Sequence, residues 1–303
     1  MFGSPVELWL PATAAAAVAD DLWRDLSAIH RQWNAWKPGE LYELNRAFRA
    51  GRDAAASPAL RAVIRQAAVL EQASRGLFNP GIGGLVGTWG FHADVLADGQ
   101  RPSAASLARW QRAAPSLSQI EERGGRLRSR NPGLQLDLGA YAKGVAIDAA
   151  LDRLQRQGVQ QALLNLGGNL AAMGRPGDRP WRVGVRDPHG SGLLTTLTVD
   201  GREAVVTSGS YERYRWLDGE RCCHILDPQT GAPAPAFVSV TVVHRSAALA
   251  DAAATALLVA GPARWRSVAE RLGVNQVLVV DRHGRTDVTD TLRPRLQRPT
   301  APV

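Results

Sequence analysis

The sequence predicts a mixed α+β fold, with helices packed on largely antiparallel sheets. Three observations carry this reading. The 303 residues are 45% hydrophobic and 21% charged, ordinary globular proportions that exclude disorder, collagen and a peptide-sized or staple-dependent fold. Apolar runs of strand length at 162–166, 181–186, 193–199, 204–207, 237–243 and 276–280 are separated by turn residues. Longer stretches with helical spacing, at 58–75, 140–157 and 247–259, are set among them.

Taken in order, residues 6–10 alternate as a first strand and 13–33 form an Ala-rich helix. The segment 36–40 contains Pro38 and Gly39 and breaks that helix; 41–48 restarts a short one. Ser57 before Pro58 reads as an N-cap with proline at the first helical position, so 58–75 is a helix stopped by Gly76. The run 79–90 holds one proline and five glycines and reads as a loop. A smaller helix at 102–114 and a hairpin at 123–130 follow, then a short strand at 134–138 that stops at Gly139 and opens the helix 140–157. No internal repeat or linker divides the chain, so one domain of two intertwined lobes is expected over 1–285. The Pro/Arg-rich tail, 286–303, is expected to be poorly ordered.

Net charge is +8, from 36 basic and 28 acidic residues, but no block of five basic residues exists. A nucleic-acid partner is therefore not expected. Cys222 and Cys223 are adjacent, which excludes a disulfide framework and a zinc site of ordinary spacing. No run of 18 apolar residues is present, and 1–11 lacks the pattern of an export signal. No membrane anchor is expected, and the cytoplasm is the expected compartment; removal of a leader would make it the periplasm.

Three constellations could carry chemistry. The first is Asp137-Leu138-Gly139-Ala140-Tyr141-Ala142-Lys143-Gly144, which puts a cation in the first turn of a helix, where the macrodipole disfavours it. A phosphate on that helix N-terminus would offset the cost; a solvated lysine is the plain alternative. Lys143 is one of only two lysines in an arginine-rich chain, which favours the phosphate reading. The second is Asp251 and Thr255, four apart on one face of an Ala/Leu helix. A carboxylate paired with an arginine and two oxygen ligands for a hard cation fit that spacing equally well. In the third, Thr207-Ser208-Gly209-Ser210-Tyr211 precedes His224-Ile225-Leu226-Asp227-Pro228, and His224 is either a packed hairpin histidine or a proton acceptor. The glycine run 81–87 imitates a dinucleotide fingerprint but follows a proline-containing loop and is expected to open no helix, so a Rossmann site is rejected.

In order, these segments resemble the ApbE family, the FAD:protein FMN transferases. The resemblance rests on Trp36, Pro38, Glu40, Leu41, Leu44 and Asn45; on Phe78-Asn79-Pro80 through Trp89-Gly90-Phe91; on the lysine motif; on Asn165-x-Gly167-Gly168-Asn169; and on the motifs around Ser208, His224 and Asp251. It implies a two-lobed fold with FAD in the cleft and transfer of FMN from FAD to a threonine or serine hydroxyl, with AMP released and Mg2+ required. The acceptor would be a flavoprotein, such as a redox-complex subunit or a flavin reductase domain. It further implies Mg2+ ligands from Asp251, Thr255 and the Ala140 carbonyl. FAD contacts would come from Trp36, Asn45, Phe78, Asn79, Asp137, Lys143, Ser208 and Ile225, and a proton acceptor from His224. A Mg2+-dependent FAD pyrophosphatase and a non-catalytic FAD-binding protein are the alternatives. The chain departs from the family pattern at Phe2-Gly3-Ser4, at Asn79 in place of aspartate, at Tyr141 in place of an aliphatic residue, and at Ala254, where some relatives carry a further aspartate.

Overall fold

The computed structural model describes residues 4–297 apart from 13, 15 and 235. Phe2 and Gly3, the first residue of the helix expected at 13–33, and residues 298–303 lie outside the described residues. The elements in order are β1 (Val6–Trp9), α1 (Ala16–Gln32), α2 (Glu40–Arg49), β2 (Ala54–Ala55), α3 (Pro58–Ala73), α4 (Gly83–Thr88), α5 (Ala104–Ala113), β3 (Ile120–Arg123), β4 (Arg126–Ser129) and α6 (Ala142–Arg156). There follow β5 (Ala162–Leu166), β6 (Asn169–Met173), β7 (Trp181–Arg186), β8 (Leu193–Val199), β9 (Glu203–Gly209), β10 (Tyr214–Leu217), β11 (Glu220–Cys223), β12 (Phe237–His244), α7 (Ala247–Leu272), β13 (Val277–Asp281), β14 (Thr286–Val288) and β15 (Leu296–Gln297).

Seven strands form one sheet in the order β1-β5-β6-β9-β12-β13-β14, every pair antiparallel. Its strands read as nearly continuous apolar runs because both faces are covered. Leu164, Val206, Val240, Val242 and Val279 join the core beneath α6 and α7. Ala172, Val205, Val243 and Leu278 face the other way, onto a second sheet of order β15-β8-β7 whose Trp181, Val183, Val185, Leu197 and Val199 fill the gap. A third, small core of Leu85, Trp89, Phe91, Trp110, Leu217, Cys222 and Leu226 ties α4 and α5 to the β10–β11 hairpin. Helix starts follow the expected chemistry: the Ser57, Ser103 and Ser246 hydroxyls accept N–H bonds from Leu60, Ser106 and Leu249.

Several expectations are corrected. The glycine-rich run 79–90 is not wholly loop: it contains α4, where buried Gly83 and Leu85 are drawn into the small core. Residues 134–138 do not form a strand. Leu134, Leu136 and Leu138 alternate and are all buried, which imitates one, but only Gln135 makes a bridge, to Ile82. The remaining backbone groups find other partners: Asn45 Nδ2 donates to the Leu136 carbonyl, the Leu136 N–H donates to Asn45 Oδ1 (both 2.8 Å), and the Asp137 N–H donates to the Pro80 carbonyl at 2.7 Å. Residues 286–297, expected to be poorly ordered, form β14 and β15, with Leu292 buried and the Arg295 guanidinium paired to Glu203 at 2.6 Å. Strand β6 and the β10–β11 hairpin carried no signal strong enough to be read.

Asn45 is 3% exposed and substitutes for a missing neighbour strand. Asn45→Ala leaves a buried N–H and a buried carbonyl unpaired and is expected to lower stability by about 2–4 kcal/mol in urea unfolding.

Candidate active site

The site grows from the junction of α6 and α7. A Cβ on Gly144 would lie 2.3 Å from the Ala247 carbonyl oxygen and 2.7 Å from Ala248 Cα, so only glycine permits this approach. Each helix supplies a carboxylate to the other. Asp148 of α6 accepts from the Ser246 hydroxyl (2.7 Å), the Ala247 N–H (2.9 Å) and the Ala248 N–H (3.0 Å), covering free donors at the start of α7. Asp251 of α7 accepts the Gly144 N–H at 3.0 Å. Burial holds the Asp251 carboxyl above the usual carboxylate range, against the pull of Lys143, Asn169 and the Gly144 N–H.

Gly144 is the third residue of α6, so no carbonyl within the helix can take its N–H, and Asp251 takes it instead. The Ala140 carbonyl, which precedes the Tyr141 cap, accepts no hydrogen bond among the described residues. Thr255 stands one turn beyond Asp251, its hydroxyl 3.2 Å from that of Ser208 on β9. Asn169 of β6 pairs with Val206 of β9, so Asn169, Val206 and Ser208 share the sheet face turned to the helices. Asn169 is 1% exposed; its Nδ2 reaches toward Asp251 without closing a hydrogen bond and has no partner. Lys143, half-buried, has no hydrogen bond or ion pair among the described residues, yet its charge acts on both Asp251 and His224.

The Asp251 carboxylate, the Thr255 hydroxyl and the Ala140 carbonyl are all hard oxygen donors, which suits Mg2+ in kind. Among the described residues no three His, Cys, Asp or Glu side chains gather. One carboxylate with neutral oxygens is the arrangement of a cation that completes its shell from water or a phosphate.

The residues expected to contact FAD fall into two groups. Trp36 and Asp137 meet directly: Trp36 Nε1 donates to Asp137 Oδ2 at 3.1 Å, Asp137 Oδ1 accepts the Gly139 N–H at 2.8 Å, and the His92 ring lies 5.1 Å from that of Trp36. Lys143 and Ser208 stand with the α6–α7 junction. Asn45, Phe78 and Asn79 are tied into the surrounding chain. Phe78 is 1% exposed, its ring edge-on to Tyr141 at 5.7 Å. Asn79 donates to the Pro115 carbonyl (2.8 Å) and accepts the Gly81 N–H (2.7 Å). Ile225 is 5% exposed and belongs to the main core.

His224 follows β11. Its Nδ1 lies 3.0 Å from the Arg213 carbonyl, which requires the proton on Nδ1 and leaves Nε2 as an acceptor. Burial holds the imidazole down to about 4, and the charges of Arg213 and Lys143 add to this, so the ring is neutral at pH 7.

Comparison with known proteins decides the lineage. Residues 2–278 match the ApbE family. The chain belongs to that family. It is 41% identical over 300 residues to the "FAD:protein FMN transferase" of Rhodobacter capsulatus, covering 98% of this chain and 57% of that protein. It is 38% identical to the protein of the same name from Treponema pallidum, covering 67% and 60%. The chain thus spans about three fifths of the length of these curated relatives. Among solved structures, the ApbE protein of Thermotoga maritima superposes with a TM-score of 0.88 at 26% identity, covering 98% of this chain and 97% of that one. The flavinyl transferase ApbE of Pseudomonas stutzeri gives 0.82 at 28%, covering 96% and 97%. Two departures from the ApbE pattern now have surroundings. Asn79 donates to Pro115, which an ionised aspartate could not do. Tyr141 is 0% exposed, and its hydroxyl has no partner. Asn169 and Arg213 were not singled out in the sequence as site residues. Asn169 lay in plain view inside a quoted motif; Arg213 is one arginine among many.

Gly144→Ala is expected to cost about 1–3 kcal/mol and to weaken FAD binding, read by thermal unfolding and calorimetric titration. His224 ties stability to pH. Its folded value is about 4 against 6.5 for the free side chain, so as pH falls through that window the unfolded chain takes the proton first and stability drops. The drop attributable to His224 is about 2–3 kcal/mol, and His224→Gln should lack it in urea unfolding at pH 7.5 and 4.5.

Proposed function

We propose that the chain transfers FMN from FAD to a threonine or serine hydroxyl of an acceptor protein, releasing AMP, with Mg2+ as cofactor. The single observation that carries this reading is the first turn of α6, where the buried Asp251 carboxyl accepts the Gly144 N–H and Lys143 stands with no hydrogen bond or ion pair among the described residues. The helix field disfavours a lysine there unless an anion joins it. The names borne by the similar proteins from Rhodobacter capsulatus and Treponema pallidum support the same chemistry.

In this reading Asp251, Thr255 and the Ala140 carbonyl hold the cation, which when bound supplies positive charge to the phosphate oxygens. Lys143 and the N-terminal N–H groups of α6 bind the pyrophosphate, where helix dipole and ammonium act on the same charge. Trp36 and Asp137 orient the nucleotide on the side of the Gly139 turn. His224 Nε2 takes the proton of the acceptor hydroxyl as its oxygen bonds to the flavin-side phosphorus. The bond to the adenosine-side phosphate breaks, and AMP carries the leaving electron pair. Phosphoryl transfer of this kind asks the protein mainly to position groups and neutralise charge.

The test follows AMP release from FAD by chromatography, with MgCl2 or with chelator, and flavin fluorescence on the acceptor in denaturing gels. Asp251→Ala and chelation should each reduce AMP release by about 100-fold or more. FMN released free, with no fluorescent protein band, would show water as the acceptor; AMP release indifferent to chelator and to Asp251→Ala would overturn the metal assignment.

A further inference from the structure

The Arg213 guanidinium is the hub of a network that the reaction above does not use. Its Nη2 donates to two main-chain carbonyls, those of Phe91 (2.8 Å) and Ala93 (2.6 Å). Its own carbonyl accepts twice from one residue, from the His224 N–H and from His224 Nδ1, both at 3.0 Å. The Phe91 ring lies edge-on to the His224 imidazole at 6.4 Å, so the segment clamped by the side chain is also the wall of the ring. That segment continues toward the nucleotide side of the site. The His92 ring lies tilted against that of Trp36, Asp94 accepts from Lys37 Nζ at 2.7 Å, and Trp36 reaches Asp137. On its far side Arg215 donates to the carbonyls of Ala97 and Trp89, the Gly99 N–H donates to the Trp216 carbonyl, and the Trp216 N–H donates to Asp98.

We propose that Arg213 is the positioning residue for His224: its carbonyl fixes the ring with Nε2 as the open acceptor, and its guanidinium locks residues 91–94 so that ring and nucleotide platform keep one geometry. Neither task can be met by the carbonyl alone. A strand end is free to fray, and the two charge-assisted bonds to Phe91 and Ala93 hold the main chain of Arg213 in place. The guanidinium has a second effect. The charged groups acting on the imidazole among the described residues are both cationic, Arg213 itself and Lys143 from the first turn of α6. Lysine retains the charge and N–H donors but not the length and planar group that place Nη2 between the two carbonyls, whereas methionine retains only the bulk.

The inference rests on the transferase reading only for its kinetic arm. The first arm is an NMR measurement of the His224 ring in the apo chain, assigned by comparison with His224→Gln. In Arg213→Met the His224 ring should lose its Nδ1-protonated signature, read from the 15N shifts of the two ring nitrogens; Arg213→Lys should fall between. The second arm is steady-state AMP release. Arg213→Met should lower kcat by about 10- to 100-fold with KM for FAD within about twofold, and Arg213→Lys should recover part of the loss. An unchanged His224 tautomer in folded Arg213→Met overturns the proposal. So does a loss confined to KM for FAD. Absence of AMP release from the native chain would defeat the transferase reading and leave the NMR arm to decide Arg213 by itself.

Discussion

The close approach of Gly144 to the first turn of α7 is the constraint from which the rest follows. With even a methyl group there, α6 and α7 could not cross where they do. Asp148 would then lose the N-terminus it covers, and Asp251 would lose the Gly144 N–H. One missing side chain therefore lets a buried carboxyl reach the first turn of α6, beside an ammonium that has no hydrogen bond or ion pair among the described residues.

The electrostatics of the site are arranged by what is withheld. Asp251 is buried with one direct hydrogen bond, a costly position for a carboxylate. Lys143 stands where the helix field already opposes it and forms no ion pair among the described residues. The fold tolerates both because they lie in each other's field, and because Asp148 secures the same junction with three hydrogen bonds. Burial keeps the His224 imidazole neutral, and the same Lys143 charge that stands at the helix N-terminus adds to that effect. One charge thus acts on both Asp251 and His224.

Much of this was legible in the sequence. The Asp251/Thr255 spacing, the misplaced Lys143 and the Ser57 and Pro58 cap all point to features the structure contains, since each rests on a local rule of helix geometry. The strand imitated by Leu134, Leu136 and Leu138 failed because alternation reports burial, and burial was met by core packing while Asn45 supplied the hydrogen bonds of a neighbour. α4 was hidden because glycine content outweighed the apolar residues that draw it inward. Strand β6, Asn169 and Arg213 depend on pairing across the sheet or along the hairpin, and such long-range partners leave no mark in a local window. The tail was misjudged for the same reason: Arg295 looks solvated until Glu203 is placed beside it.

Helix α7 is continuous in outline but broken at Gly261, which has φ +67°, and Pro262 follows without an N–H to give back to the Leu258 carbonyl. The break separates two mechanical bodies. The first half carries Asp251 and Thr255 and is clamped by α6 and the large sheet; the second carries Trp265 and Val268 into the periphery of the core. The outer half has anchors of its own, the buried Trp265 and Val268 and the Arg266 pair with Asp287 of β14, so the kink lets it follow the sheet edge without setting the direction of the turns that carry Asp251 and Thr255.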